Sequence, residues 1–453
     1  MTKTKEIYIC SGCGNQSLVW QGQCPACKEW NTLAAEVVSR KPSAKARQEG
    51  GRNAPVALEE VGGELLEGRP TGFDELDRVL GKGLTPGAAV LLGGEPGIGK
   101  STLLLQLAGS IASRGGRAVY VSGEESLAQL KGRAERLGLL GPGLLAMATA
   151  DADDILGLFK DGRPPDLLIV DSVQTMASPR VDGIPGSVSQ VRAVCMELVE
   201  QAKKSATTLF LVGHVTKEGS IAGPKLMEHM VDTVLYLEGD RRHLYRILRV
   251  LKNRFGPSDE LLVLEMLEKG LCIVADPSTF FLGERDASLS GTAVVMAVDG
   301  QRPFAVEVQA LVSRTNLSIP RRTALGFDVN RLYLLLAVLE KNLRINLGTS
   351  DVYCKIGGGL KLAEPGLDLG IAASVLSSFY DRPLPEGAVF WGEIDLNGMV
   401  RPVSAHDIRR KQAKRLGYGP MFFSRQGKGL PGSGTIAGFQ KTLFGQGGSQ
   451  GEE

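Results

Sequence analysis

The chain has 453 residues, 43% of them hydrophobic and 23% charged, with a formal net charge of +2. This composition excludes wholesale disorder, a collagen-like chain and a coiled coil, and the length allows roughly three domains of about 150 residues. No uncharged apolar run reaches about 18 residues, so neither a membrane span nor a membrane partner is expected.

The N-terminal MTKTKEIYIC runs into a cysteine cluster instead of a long apolar stretch, so a signal peptide is not expected. Four of the seven cysteines crowd into residues 10–27, while Cys195, Cys272 and Cys354 stand singly in apolar segments. That is metal-site usage in a reducing, cytoplasmic compartment, not a disulfide framework. Cys10-x2-Cys13 and Cys24-x2-Cys27 are separated by ten residues, with Gly12, Gly14 and Pro25 suited to small turns. Two such knuckles bring four thiolates to tetrahedral corners about 2.3 Å from Zn2+. Four thiolates leave no open coordination position, which makes a structural zinc the expectation for residues 1–33 and a redox CxxC or iron–sulfur cluster the weaker alternatives. The polar stretch 34–60 reads as a flexible linker.

Residues 61–280 read as an α/β domain. Apolar runs at 88–94, 117–123, 166–172, 208–214 and 232–238 predict buried strands of a parallel sheet, each followed by helical composition, which is a doubly wound core. Gly94-Glu95-Pro96-Gly97-Ile98-Gly99-Lys100-Ser101, followed by Thr102, matches G-x4-G-K-[ST] between a predicted strand and a predicted helix. The glycines let backbone N–H groups curl around the phosphates of ATP, Lys100 reaches the β/γ-phosphates, and the Ser101 hydroxyl ligates Mg2+ at a helix N-terminus. Asp171, ending DLLIVD, is the expected second Mg2+ partner, with a helix N-cap as the bland alternative. Glu124, in YVSGEES, would share the carboxyl edge of the sheet, where ligands bind in open α/β folds. It is expected to polarise the attacking water, with Glu125 competing. His214 ends another strand and reads either as a γ-phosphate sensor or as structural.

Residues 241–254 contain six Lys/Arg and no acid. Arg241, Arg242 and Arg246 read as solvated cations on a basic strand, and Lys252 and Arg254 as functional ones that serve either a leaving phosphate or DNA. The polar loop 216–226, with Lys217 and Lys225, lies between apolar runs. Residues 285–445 predict a separate α+β domain: a hairpin over 292–312 with a DG turn, a helix over 331–342, a strand over 351–359, a helix over 367–379, a hairpin over 388–403 turning at Asn397-Gly398, and a helix over 405–417. Residues 401–428 hold eight Lys/Arg against one acid, Asp407, a surface suited to a phosphate backbone.

The four-Cys knuckle, GGEPGIGKST, YVSGEES, LLIVDSVQT and Lys252-Asn253-Arg254-Phe255-Gly256 together resemble the RadA (Sms) family of bacterial DNA repair proteins, relatives of the RecA recombinase. The resemblance covers nearly the whole chain apart from linker and tail. It implies a RecA-like P-loop ATPase core behind a zinc ribbon, and a DNA-stimulated ATPase that forms a hexameric ring. Such a ring promotes branch migration with RecA on single-stranded and branched DNA, in the cytoplasm and associated with the nucleoid. It further implies that Glu124 is the catalytic glutamate, that Lys252 and Arg254 act across a subunit boundary or on DNA, and that Lys217 and Lys225 lie in a DNA-contacting loop. Residues 290–440 resemble the proteolytic domain of Lon through segments 357–373 and 392–415. Lon uses a Ser–Lys dyad, yet Glu364-Pro365-Gly366-Leu367-Asp368 holds no hydroxyl and Asp407 stands where the lysine is needed, so proteolysis is expected to be absent. A RecA-like ATPase that remodels or signals through proteins rather than DNA is the alternative function.

Overall fold

The structure is a computed structural model describing residues 5–10, 15–17, 19–38, 67–160, 162–213, 224–239, 245–258, 260–274, 276, 278, 282, 286, 288–300, 302–424 and 434–445. Gly12, Cys13, Gly14, His214, Lys217, Arg241, Arg242 and the Lys225 side chain lie outside this set. The chain divides into two units, 1–274 and 275–453. Among the described residues no helix is long and apolar enough to cross a membrane.

At the N-terminus β1 (Lys5–Cys10), β2 (Gln16–Ser17) and β3 (Leu33–Val38) form an antiparallel sheet in the order β2-β1-β3. Residues 34–38 were expected to open the linker, but they pair with β1 from Cys10↔Leu33 through to Lys5↔Val38. The partner strand lies more than twenty residues back in sequence, and no local composition announces such a pairing.

The α/β core of the first unit is a nine-stranded sheet made of β4 (Ala89–Gly94), β5 (Ala118–Ser122), β6 (Leu144–Ala148), β7 (Leu167–Asp171), β8 (Thr208–Val212), β9 (Thr233–Glu238), β10 (Tyr245–Asn253), β11 (Leu261–Leu267) and β12 (Gly270–Ile273). Their order is β12-β11-β10-β9-β4-β8-β7-β5-β6. The stretch β9 to β6 is parallel, and β10, β11 and β12 extend it as an antiparallel wing.

All five predicted strands of the core are present, and because successive strand side chains point to opposite faces each strand feeds two cores. Val90, Leu92, Tyr120, Ile169, Phe210 and Leu235 pack with α1 (Asp74–Leu80), α2 (Lys100–Ser113) and α3 (Leu127–Arg136). Leu91, Val121, Val170, Leu211 and Val234 pack with α4 (Ala152–Gly157), α5 (Val188–Lys204) and α6 (Pro224–Met230). Strand β6 escaped the sequence reading because Leu-Leu-Ala-Met-Ala favours helix and, as an edge strand, it is half exposed.

The wing corrects a second expectation. β10 is flanked by β9 and β11, so it is an interior strand, and Arg246 is 7% exposed instead of solvated. Alternating charge predicts a wet face only when no neighbouring element covers it.

In the second unit β13 (Thr292–Asp299), β14 (Arg302–Arg314), β15 (Arg322–Leu325), β16 (Ser350–Ile356), β17 (Val389–Trp391) and β20 (Met421–Phe423) form one sheet in the order β15-β16-β14-β13-β17-β20. Strands β18 (Glu393–Ile394) and β19 (Val400–Arg401) form the hairpin that turns at Asn397-Gly398. The helices are α7 (Val329–Leu343), α8 (Asp368–Phe379), α9 (His406–Arg415) and α10 (Ile436–Phe444). Helix α8 is buried almost all round and lies on β13, β14 and β17. The approach is so close that a Cβ on Gly370 would stand 2.1 Å from Val295 Cγ2, so no larger residue fits there.

Candidate functional site

Strand β4 ends at Gly94 and α2 begins at Lys100, so the Gly-rich loop is the turn that joins them. The loop needs glycine for steric reasons. A Cβ on Gly94 would meet the Leu237 carbonyl oxygen at 2.4 Å, and Gly99, at φ +116°, occupies backbone space that side-chain-bearing residues avoid. Lys100 is 4% exposed, and its Nζ donates to the Gly94 and Glu95 carbonyls at 2.7 and 3.0 Å. Its ammonium therefore sits in the curl of the loop, where a phosphate chain would meet positive charge. Burial lowers the Lys100 pKa, opposed by the carboxylates of Asp171, Glu124 and Glu95.

Two of the candidate residues converge on one phenol. The Tyr120 hydroxyl, on β5, donates to Asp171 Oδ2 at 2.5 Å, and the Ser101 hydroxyl hydrogen-bonds the same group. Burial first, and then the Asp171 carboxylate, push the Tyr120 pKa well above its ordinary value. Asp171 ends β7, is 8% exposed and caps no helix through its side chain. Next along the edge, Ser172 Oγ donates to Glu124 Oε1 at 2.8 Å. Glu125 points elsewhere: its carboxylate is ion-paired with Arg133 of α3. Lys100 thus has Glu124, not Glu125, among the carboxylates acting on it. Thr102 lies half-buried in the first turn of α2.

Sequence reasoning missed Tyr120, Ser172 and Gln174, although each sits inside a motif already singled out for its acids. Among the described residues, both polar atoms of the Gln174 amide are buried without a hydrogen-bond partner.

Lys252 and Arg254 are not part of this cluster. Asn253 pairs with Thr233 at the start of β9, and Val90 pairs with the same Thr233, so these cations stand at the amino edge of the sheet, opposite the P-loop. Lys252 Nζ donates to the Glu228 and Val231 carbonyls at 2.7 and 2.8 Å, tying down the end of α6. Burial and then Arg254 lower its pKa. The Arg254 side chain, 57% exposed, pairs with buried Asp232 at 3.2 Å. Asn253 Nδ2 donates to the Val79 and Leu80 carbonyls and so fixes the motif to the end of α1.

In the ribbon, the sulfurs of Cys10, Cys24 and Cys27 all lie within 4.8 Å of one another, with Cys10 Sγ and Cys27 Sγ 3.6 Å apart. Four thiolates 2.3 Å from a tetrahedral zinc stand about 3.8 Å apart, so the described three fit that ion. The Thr32 hydroxyl, 3.2 Å from Cys10 Sγ, is placed to orient that ligand. Cys24→Ser is expected to release the metal: native mass spectrometry should find one zinc on the wild-type chain and none on the variant, and zinc retained by the variant would refute a closed four-thiolate site.

The second unit carries two ion pairs, each with one deeply buried member. Asp368 is 3% exposed and accepts from Arg331 at 2.5 Å, a bond that raises the Arg331 pKa, and from the Ile394 N–H at 3.1 Å. Arg409, 1% exposed, pairs with Glu364 at 2.5 Å. The Asp407 side chain is 88% exposed.

Residues 8–35 match the family model described as a rubredoxin metal binding domain, and residues 70–220 match an AAA domain. The chain is 44% identical to the DNA repair protein RadA of Brucella abortus over 96% of its own length and 94% of that protein's. It is 45% identical to the RadA of Bacillus subtilis over 92% of each chain, and 46% identical to that of Rickettsia bellii over 94% of each. With a P-loop ATPase core, a zinc-ribbon cysteine cluster and likeness at this level over more than nine-tenths of its length, the chain belongs to the family of the DNA repair protein RadA.

Proposed function

We propose that this ATPase is a DNA-stimulated ATP hydrolase of recombinational DNA repair. It would work as a hexameric ring that promotes branch migration with RecA on single-stranded and branched DNA, in the cytoplasm at the nucleoid. The observation that favours this reading is the placement of the cations. Lys252 and Arg254 lie toward the far edge of the sheet, three and five residue steps of β4 from Gly94, or about 10 and 16 Å at 3.3 Å per residue. They would therefore reach a nucleotide on a neighbouring copy, and a head-to-tail contact of that kind generates a ring when its rotation closes.

Bound ATP and Mg2+ would supply the phosphoryl group and the neutralising charge. For the residues, Gly94 to Thr102 would enclose the phosphates, Ser101 and Asp171 would hold the metal, with the Tyr120 phenol linking them, and Glu124 would orient the attacking water. His214 would sense the γ-phosphate, and Cys13 would complete the zinc set. Lys217, Lys225, Lys252 and Arg254 would meet DNA phosphates, the last two also serving the adjacent subunit. DNA stimulation would have a physical route: Lys252 is tied to the end of α6, the helix whose sequence includes Lys225, so a DNA contact on that helix would reach a trans-acting cation. Proteolytic activity would be absent, because Glu364–Asp368 offers no hydroxyl and Asp407 stands where a lysine would be needed, while Asp368 and Glu364 are paired with Arg331 and Arg409.

ATP hydrolysis measured with and without single-stranded and branched DNA, at two salt concentrations, should rise with DNA and lose that rise as salt screens the contacts. Lys100→Ala and Lys252→Ala should each be inactive alone, while an equal mixture should recover about a quarter of wild-type turnover, the share of interfaces in a random ring that join one intact P-loop to one intact Lys252. No recovery would remove the trans role, and turnover indifferent to DNA would favour a motor that remodels proteins.

A further inference from the structure

We propose that Arg246 is a positioning residue of the nucleotide site, a buried cation that sets the phosphate-binding curl of the P-loop from the antiparallel wing. The inference rests on reading that loop as the nucleotide site. Arg246 is the second residue of β10, and its Nε–H donates to the Ile98 carbonyl at 3.1 Å while Nη1 donates to the Tyr245 carbonyl at 2.7 Å. Ile98 is 1% exposed and lies at the centre of the phosphate loop. Its carbonyl belongs to the same planar trans peptide as the Gly99 N–H, and in such a unit the two groups point in opposite directions. Drawing the oxygen outward to Arg246 therefore turns the Gly99 N–H inward, toward the phosphates.

The rest of the wing presses on the same peptide. A Cβ on Gly99 would stand 2.8 Å from Met266 Cε and 3.3 Å from Leu271 Cδ1. The Gln106 amide pins that hairpin to α2, accepting from the Leu271 N–H at 2.8 Å and donating to its carbonyl at 3.1 Å. Lys100 grips the Gly94 and Glu95 carbonyls from inside the loop, and Arg246 grips the Ile98 carbonyl from outside. A guanidinium is a costly filler for a sheet interior, where an aliphatic side chain would cover the same surface without desolvating a charge. Under an anion site the charge has a use, since it adds to the field that a triphosphate feels without touching it.

The test uses the full-length protein with Arg246→Gln, Arg246→Lys and, as control, Lys100→Ala. Steady-state ATP hydrolysis gives KM and kcat, and thermal melts with and without saturating Mg–ADP give the nucleotide-induced gain in Tm, which follows affinity by linkage. Loss of a hydrogen bond made by a charged group predicts about a tenfold rise in KM for Arg246→Gln, with kcat within about threefold of wild type. The nucleotide-induced gain in Tm should shrink in parallel, and Arg246→Lys should recover part of both. If the melting temperature without nucleotide falls while KM and the nucleotide-induced gain stay at wild-type values, Arg246 is only a piece of the core and the proposal is wrong. Should Arg246→Gln fail to fold, Arg246→Lys decides alone: a wild-type KM overturns the proposal, and a raised one supports it. A wild-type protein with neither hydrolysis nor a nucleotide-induced gain would instead bring down the ATPase reading itself, an outcome separable from the first.

Discussion

Glu124→Gln is expected to slow ATP turnover by about 10²–10⁴-fold, the usual span for removing a general base, while leaving nucleotide binding near wild type. The neighbouring Glu125→Gln should stay within about threefold of wild-type turnover. The contrast comes from what each carboxylate touches. Glu124 is held by Ser172, next to Asp171, and acts on Lys100. Glu125 is neutralised by Arg133, with its backbone N–H bound to Ser122 Oγ at 2.9 Å. Single-turnover hydrolysis beside equilibrium binding of a fluorescent ADP separates chemistry from affinity. A severe loss in Glu125→Gln with Glu124→Gln active would reverse the assignment.

The largest expected change in stability lies in the second unit. Arg409 spends its guanidinium on Glu364 and the Met296 carbonyl, each at 2.5 Å, and on the Ser404 carbonyl at 3.1 Å. Glu364 in turn accepts the N–H groups of Gly366 at 3.0 Å and Val298 at 3.2 Å. Removing one partner of a buried pair typically costs about 3–5 kcal/mol, because the other charge stays buried and uncompensated, so Arg409→Met should destabilise this unit by that amount. Of the chain's three tryptophans, Trp20 and Trp30 are 55% and 69% exposed and Trp391 is 1% exposed. Trp391 stacks on Phe423 at 4.7 Å between ring centroids, within the second unit, so its emission during urea unfolding reports this unit. Adding Glu364→Leu to Arg409→Met removes the stranded charge and should restore part of the loss. A single variant as stable as wild type would show the pair to be dispensable.

What could be read from sequence was whatever depends on neighbours along the chain. The five parallel strands of the core announce themselves as apolar runs because both faces are buried. The P-loop is legible because its spacing is the chemistry. Residues whose fate depends on a distant strand were not legible. Arg246 looks solvated until β9 and β11 flank it, and β3 looks like linker until β1 pairs with it. The choice between Glu124 and Glu125 was closed to a sequence reading because Arg133, on another element, decides which acid is left for Lys100.

The ion pair at the start of α8 also bears on reversibility over evolutionary time. A hydroxyl placed at Asp368 would strand the guanidinium of Arg331, now 2.5 Å from its carboxylate, and would abandon the Ile394 N–H. Either change made alone would be penalised, so the two positions should be epistatic and each should guard the other against substitution. A pair of this kind fixes the start of α8 more firmly against drift than either residue would alone.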